Sequence, residues 1–288
     1  PDTYNDWLNQ RDDSFNEFLV IGDKKNKEQI SLFNTFTGGV VTSRDAWVYN
    51  QSKHKLLNNI RKTIDFYNNE LERINVLLNE GQSNDISKLI SNDATKISWS
   101  RALKNDLTKN KKIDFVEDAF RVTRYRPFTK SWMYFNRQLN EMVLLNDKIF
   151  PEEKLENLTI SITGIGGKKG FSTIISNTIA DFNSMDAGSQ CFPLYLYEQN
   201  TVKNNDTDLF NQTESSKVDG KYARKDGISD IGLKYFQEAY PTETISKEDI
   251  FYYVYGLLHS EDYRTRYADN LSKELPRIQC MKKAEDFW

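Results

Sequence analysis

Arg121-Val-Thr-Arg-Tyr-Arg-Pro-Phe-Thr-Lys-Ser-Trp-Met-Tyr-Phe-Asn-Arg137 alternates apolar residues with polar or basic ones, as does the wider 113–137 segment. A period of two puts successive side chains on opposite faces of a strand, so the segment reads as half-buried strands. Five basic side chains, Arg121, Arg124, Arg126, Lys130 and Arg137, interleave with Tyr125, Phe128, Trp132, Tyr134 and Phe135, and no acid interrupts them. Cations neutralise phosphates, an arginine can fork onto guanine, and aromatic rings can stack on an extruded base. A strand pair with its aromatics in a core and its cations on a solvated face fits the same residues. Composition leaves both readings open.

Downstream, Leu158-Thr-Ile-Ser-Ile-Thr163 alternates strictly and reads as a cleaner strand. Strand character resumes at Phe171 to Ile179 and at Cys191 to Tyr197. The loop Gly164-Ile-Gly-Gly-Lys-Lys-Gly170 lacks the Gly-Lys-Ser/Thr ending of a nucleotide loop. It joins two strands, so no helix N-terminus is offered to a phosphate. It reads as an exposed turn or, through Lys168 and Lys169, as a contact to a DNA backbone. Residues 199–229 are polar and charged, and read as a long loop.

Upstream, Leu57, Ile60, Ile64, Tyr67, Leu71, Ile74 and Leu78 recur at spacings of 3 and 4, an amphipathic helix of about six turns that stops near Gly81. Its apolar face is covered within its own domain, or the helix is a spacer between two domains. Residues 84–112 have helical tendency with Trp99 as an anchor. An apolar run at Phe15 and Phe18 to Ile21 precedes a turn at Gly38 to Thr42 that feeds a short buried strand. Near the C-terminus, Ser246 with Asp249 forms a capping box before the apolar face of Ile250, Phe251, Val254, Tyr255, Leu257 and Leu258. A further helix is expected from Glu261 to Leu275, ended by Pro276. The class is α+β: central, mostly antiparallel strands at about 113–197, a long helix at about 53–80 and C-terminal helices at about 246–275.

The chain's 288 residues allow one large domain or two modest ones. The net charge of −3 announces no nucleic acid, but its distribution suggests a localised electrostatic face. Residues 96–137 carry eleven Lys/Arg against four acids, a block of +7 that leaves −10 on the rest. Cys191 and Cys280, His54 and His259 lack metal-ligand spacing, and two distant cysteines suit a reducing cytoplasm. No apolar run reaches membrane-span length and no signal peptide opens the sequence. Nothing groups a serine, a histidine and a carboxylate as in a hydrolase. His259, late in an aromatic-rich helix, reads as a packed or surface histidine. The Asn/Asp-Pro-Pro-Tyr/Phe tetrapeptide of adenine methylases and a helix-opening methyl-donor loop are both missing. Pro1, without a preceding Met, and Trp288 read as the cut ends of a longer polypeptide.

Four blocks carry a resemblance. Gly39-Val-Val-Thr-Ser-Arg-Asp-Ala-Trp-Val-Tyr-Asn50 and Tyr125-Arg-Pro-Phe128 with Trp132-Met-Tyr134 resemble large adenine-specific DNA methyltransferases at and beyond the end of the methylase fold. Gln190-Cys-Phe-Pro-Leu-Tyr-Leu-Tyr197 and Ile245 to Ser260, continued by Tyr263-Arg-Thr-Arg-Tyr267 and Lys273 to Ile278, are similar to the C-terminal specificity domain of type ISP restriction-modification enzymes. The resemblance implies a parent joining nuclease, helicase-like ATPase, adenine-N6 methyltransferase and target-recognition parts. It implies residues 1–50 as methyltransferase tail, 51–112 as helical spacer and 113–288 as specificity domain. Duplex DNA and the methyltransferase and helicase parts of the parent are the implied partners. S-adenosylmethionine, ATP and Mg are implied for the parent, with no cofactor and no catalytic residue on this chain. The expected DNA contacts are Arg121, Arg124, Arg126, Lys130, Trp132, Tyr134, Arg137, Lys168 and Lys169, lining one cleft. The alternative is a coupling module that docks the methyltransferase to the helicase and nuclease parts.

Overall fold

A computed structural model of the chain describes residues 11–26, 28–81, 85–200, 216–218 and 221–287. Its contacts fall into two units, Val40–Leu144 and the combination of Pro1–Gly39 with Leu145–Trp288. These bounds cut across the expected 1–50, 51–112 and 113–288 parts.

In the 40–144 unit the helix Lys53–Asn79 starts at Ser52, whose side chain accepts from the Lys55 N–H, and ends before Gly81 at φ +74°. Leu56, Ile60, Ile64, Tyr67, Leu71 and Ile74 are its buried stripe. Leu56, not Leu57, opens the stripe, which is the phase that keeps one face of a 3.6-residue period together. Polar side chains fasten the following segment to this helix. The Tyr67 hydroxyl donates to Lys111 O at 2.9 Å, and Asn68 exchanges two hydrogen bonds of 3.0 Å with the Ile113 backbone. Glu70 accepts from Arg73 twice at 2.8 Å and from the Ser91 N–H at 2.9 Å. The helix is therefore covered from within its own unit. The short helices Ile86–Leu89 and Arg101–Thr108 lie in the fastened segment, where Trp99 donates to Ser91 O.

Strands Phe120–Arg126 and Thr129–Tyr134 form an antiparallel hairpin, with Phe120 opposite Tyr134 and Arg124 opposite Lys130. Tyr49–Asn50 pairs on the outer side of the second strand, Tyr49 opposite Met133. The segment read as half-buried strands is thus a hairpin, but one with buried residues on both faces: Phe120, Arg124 and Tyr134 on one, Thr123, Ser131 and Met133 on the other.

The other unit holds a four-stranded antiparallel sheet in the order Thr37–Gly38, Gln190–Pro193, Thr159–Ile162, Thr173–Ser176. Thr159–Ile162 is buried on both faces, not half-buried as strict alternation suggests. Its polar members have partners: Ser161 Oγ lies 3.4 Å from Cys191 Sγ, and Thr159 donates to Ser176 O. Leu19–Val20 pairs with Arg277–Ile278, tying the two ends of the described chain together. The core gathers Phe33, Phe36, Ile160, Phe192, Phe236, Phe251 and Tyr267, among others.

Two expectations are corrected here. Residues 199–229 are not one loop: Tyr222–Asp226 pairs with Tyr195–Gln199 on one side and with Ser216–Val218 on the other. Its charges sit on the strand surface, where Lys225 meets Glu198 at 2.7 Å and Arg224 stacks over Tyr195 at 4.2 Å. Residues 201–215 lie outside the described part. The helix expected at 261–275 is two, Glu261–Arg266 and Ala268–Lys273, parted at Tyr267, whose ring is wedged against Phe15 and Phe18. Ahead of them, Lys247–His259 carries the expected capping box, and Asp230–Ala239 is a helix the sequence reading passed over.

Candidate nucleic-acid interface

Seven of the nine expected contacts share the hairpin unit. At the hairpin tip, Pro127 and Phe128 form the turn, and Phe128 is 95% exposed. Proline fixes φ at such a position, so the tip is held with little freedom. Lys130 is exposed beside it and makes no hydrogen bond or ion pair among the described residues. Arg137, three residues past the second strand, is exposed too. Arg126 is more constrained. Its guanidinium stacks on the Tyr125 ring at 3.9 Å, donates to Tyr125 O at 2.6 Å and reaches Asp45 Oδ2 at 3.5 Å. The Tyr125 hydroxyl donates to the same Asp45 oxygen, and the Tyr125 ring packs on Tyr49 at 4.5 Å. Arg121 folds back onto the carbonyls of Asp118 and Phe120. Trp132 is half-buried with the Lys53 ammonium 4.9 Å from its ring centre, so a cation already occupies that ring.

Two of the seven do not face outward. Tyr134 is fully buried; its hydroxyl accepts from the Val116 N–H at 2.8 Å, and Phe120 and Phe115 pack on its ring. Arg124 is buried as well. They share a hairpin face with Trp132 and Lys130, and that face is buried at Phe120, Arg124 and Tyr134 but exposed at Lys130 near the tip.

Lys168 and Lys169 belong to the other unit, on the exposed glycine loop. Its backbone is not an open anion cradle, because Asp186 already fills it. Asp186 Oδ2 accepts from the N–H groups of Lys168 at 2.6 Å and Lys169 at 2.9 Å, and Oδ1 accepts from Ala187 at 3.0 Å. A Cβ on Gly164 would collide with the Ala187 carbonyl, so the loop base and the 186–188 turn touch backbone to backbone. Only the two ammonium groups are left to meet a ligand. The Lys169 and Lys168 N–H groups hold the Asp186 carboxyl below its ordinary 3.8. The clasp is therefore fully present above that value and is lost as pH falls through the lower folded one. Asp186→Asn should speed amide exchange at 168 and 169 at neutral pH, and wild type should match it only when strongly acidified. Equal exchange in the two proteins at pH 7 would disprove the clasp.

The sequence reading missed a second group of cations. Lys24, Lys25 and Lys273 line a cleft of about 560 Å³ with the glycine loop's Ile165 and with Gln190. Arg277 is on its wall but is held by Glu274 and Asn16 O. Lys24 rests over the Phe36 ring at 4.0 Å, and burial lowers its pKa. These positions are up to 250 residues apart, so no sequence window could have gathered them. No group of three or more His, Cys, Asp or Glu among the described residues could hold a metal, and no helix among them is long and apolar enough to cross a membrane.

The family model of the Type ISP C-terminal specificity domain matches residues 31–288. Among solved structures, the chain is similar to a nuclease-deletion mutant of the Type ISP restriction-modification enzyme LlaGI in complex with a DNA substrate mimic. The identity is 35% and the TM-score 0.77, over 99% of this chain and 23% of that one. It is also similar to the ATP-dependent Type ISP restriction-modification enzyme LlaBIII bound to DNA, at 31% identity and a TM-score of 0.80, over 100% and 17% of the two chains. A DrdV–DNA complex seen by electron cryomicroscopy matches at 32% identity and a TM-score of 0.79, over 96% and 25%. The chain thus spans a quarter or less of each of these proteins. No curated protein matches it.

Proposed function

The chain belongs to the Type ISP C-terminal specificity domain family, and from that membership we propose that it reads the target sequence in duplex DNA for a restriction-modification enzyme. It positions the DNA so that a catalytic domain outside this chain can methylate adenine at N6. The observation that carries this reading is that relatives matching 96–100% of this chain are solved with DNA. In this reading the methyltransferase and helicase parts are its neighbours in one parent chain. S-adenosylmethionine, ATP and Mg serve those parts, and the enzyme works in the cytoplasm.

Lys130, Arg137, Lys168 and Lys169 are the first contacts in the proposal, because their side chains are exposed. Arg121 and Arg126 would exchange carbonyl and Asp45 partners for phosphate, and Trp132 would flank them. Such contacts are electrostatic and release counterions, so log affinity falls with log salt by about 0.9 per phosphate neutralised. A salt titration of the 288-residue chain on duplex DNA should give a steep negative slope. Reversing both charges, Lys168→Glu with Lys169→Glu, should weaken binding and flatten the slope by about 2. A wild-type chain that ignores every duplex would favour the coupling-module reading. A double reversal that leaves affinity and slope unchanged would remove the loop from the interface.

A further inference from the structure

Between the glycine loop and the last helices lies a cleft of about 440 Å³, all within one unit. One wall is Gly164, Gly167 and Gly170, with no side chain beyond a hydrogen. Arg264, Thr265 and Ser272 stand on the other. The loop is fixed on both sides of the cleft: Gly166 N–H donates to Ser272 O at 3.1 Å, and Asp186 clasps residues 168 and 169. The opening is therefore built into the fold.

The two arginines of the Tyr263-Arg-Thr-Arg-Tyr267 block have different fates. Arg266 donates to Asp12 Oδ2 at 2.9 Å and to Ser14 Oγ at 3.2 Å, and so ties two distant segments together. Among the described residues, Arg264 makes no side-chain hydrogen bond and no ion pair, and its Nε is buried without an acceptor. Glu261 stands on the same cleft wall. Buried donors are nearly always satisfied, so an exception at a cleft calls for an acceptor that the described residues do not supply. Arg264 is the one cation among the residues lining the cleft, beside Glu261. His259 is held below its usual pKa by burial and by Arg264, and Lys168 and Lys169 project from the same loop.

We propose that this cleft is a phosphate site, in which the Arg264 guanidinium takes one backbone phosphodiester of the bound duplex against the glycine wall. The identification of the phosphate as DNA rests on the proposed function; the oxyanion chemistry does not. An arginine matches phosphate geometry bidentately, and bare glycines let a backbone approach closely. A phosphodiester carries no base identity, so Arg264 would fix register and not sequence.

The test uses the 288-residue chain with Arg264→Gln and Arg264→Lys. Arg264→Gln should bind every duplex more weakly by the same factor, about tenfold, and flatten the salt slope by about 1, while Arg264→Lys keeps the wild-type slope. Its melting temperature should not fall, because no internal bond is lost; a marked fall would mean a structural arginine and overturn the proposal. A wild-type slope in a folded Arg264→Gln protein would overturn it too. A parallel arm follows the Arg264 Nε–H resonance with inorganic phosphate and with a short duplex. A saturable shift with duplex at far lower concentration than with phosphate supports the DNA backbone as the source. Should the wild type bind no duplex, the proposed function fails, and the phosphate arm then decides the site: a saturable shift keeps an oxyanion site for a free phosphate group, and none sinks it.

Discussion

Arg44→Met is expected to destabilise the 40–144 unit by about 3–5 kcal/mol, the loss typical of removing one partner from a buried charge network. Arg44 is 2% exposed. Its Nε donates to Ser98 O at 3.2 Å, one terminal nitrogen to Leu139 O at 2.6 Å, and the other to Ser100 Oγ at 2.6 Å, with Glu141 4.0 Å away. A methionine fills much of the volume but leaves two carbonyls and a hydroxyl without the guanidinium's hydrogen bonds, and removes the cation beside Glu141. Ser100 also caps the helix Arg101–Thr108, so the loss reaches a second element. Lysine is no remedy, because one ammonium cannot reach all three acceptors in the fork that a guanidinium spans. Denaturant unfolding reads the effect as a lower midpoint at unchanged slope. A loss under about 1 kcal/mol would mean that water replaces the guanidinium at little cost.

The same residue explains why the 39–50 block was recognisable without revealing its role. Thr42 donates to Asp45, Ser43 takes the left-handed region at φ +57°, and Arg44 turns inward, so Asp45 is presented to Tyr125 and Arg126. The block and the hairpin motif are thus two halves of one contact, 80 residues apart in sequence. Their residues are engaged with one another, which is an architectural role.

What was legible in the sequence was what a local period can encode. The helix Lys53–Asn79 buries one face, the hairpin strands alternate polar and apolar residues, and the capping box of Lys247–His259 spans three residues. The helix Asp230–Ala239 was illegible because its buried face is narrow, with Gly232 and Phe236 inside and Ile231 half-exposed. Gly232 lowers helix propensity, yet it is there because a Cβ would crowd Leu32. Tyr222–Asp226 looked like loop because its charges are held by cross-strand partners, not by burial. For the site, the basic run was visible but its inward members, Arg124 and Tyr134, were not, since strand phase is a tertiary fact. The cations of the glycine-loop unit come from segments near 24, 168, 264 and 273, which only the fold assembles.

Phe192→Ala is the second large effect expected, and it separates scaffold from contact. Phe192 is fully buried at the centre of the four-stranded sheet, opposite Ile160. Its ring stacks on Phe36 at 4.8 Å and an interplanar angle of 19°, and meets Phe33 at 5.2 Å. Gly22 packs so closely that a Cβ there would press on both Phe36 and Phe192. With neighbours on every side, the walls cannot close on the void, and truncation should cost about 3–5 kcal/mol. Thr159–Ile162 and Thr173–Ser176 run directly into and out of the glycine loop, so this core sets where Lys168 and Lys169 stand. The ring itself touches no solvent and can touch no phosphate. Phe192→Ala should therefore lower the melting temperature steeply, yet leave the salt slope of the molecules that remain folded at the wild-type value. The double lysine reversal should do the opposite, flattening the slope at unchanged melting temperature. If Phe192→Ala flattened the slope in fully folded protein, the loop's position would depend on more than its own clasp through Asp186 and Gly164, and the rigid-platform account of Lys168 and Lys169 would have to be given up.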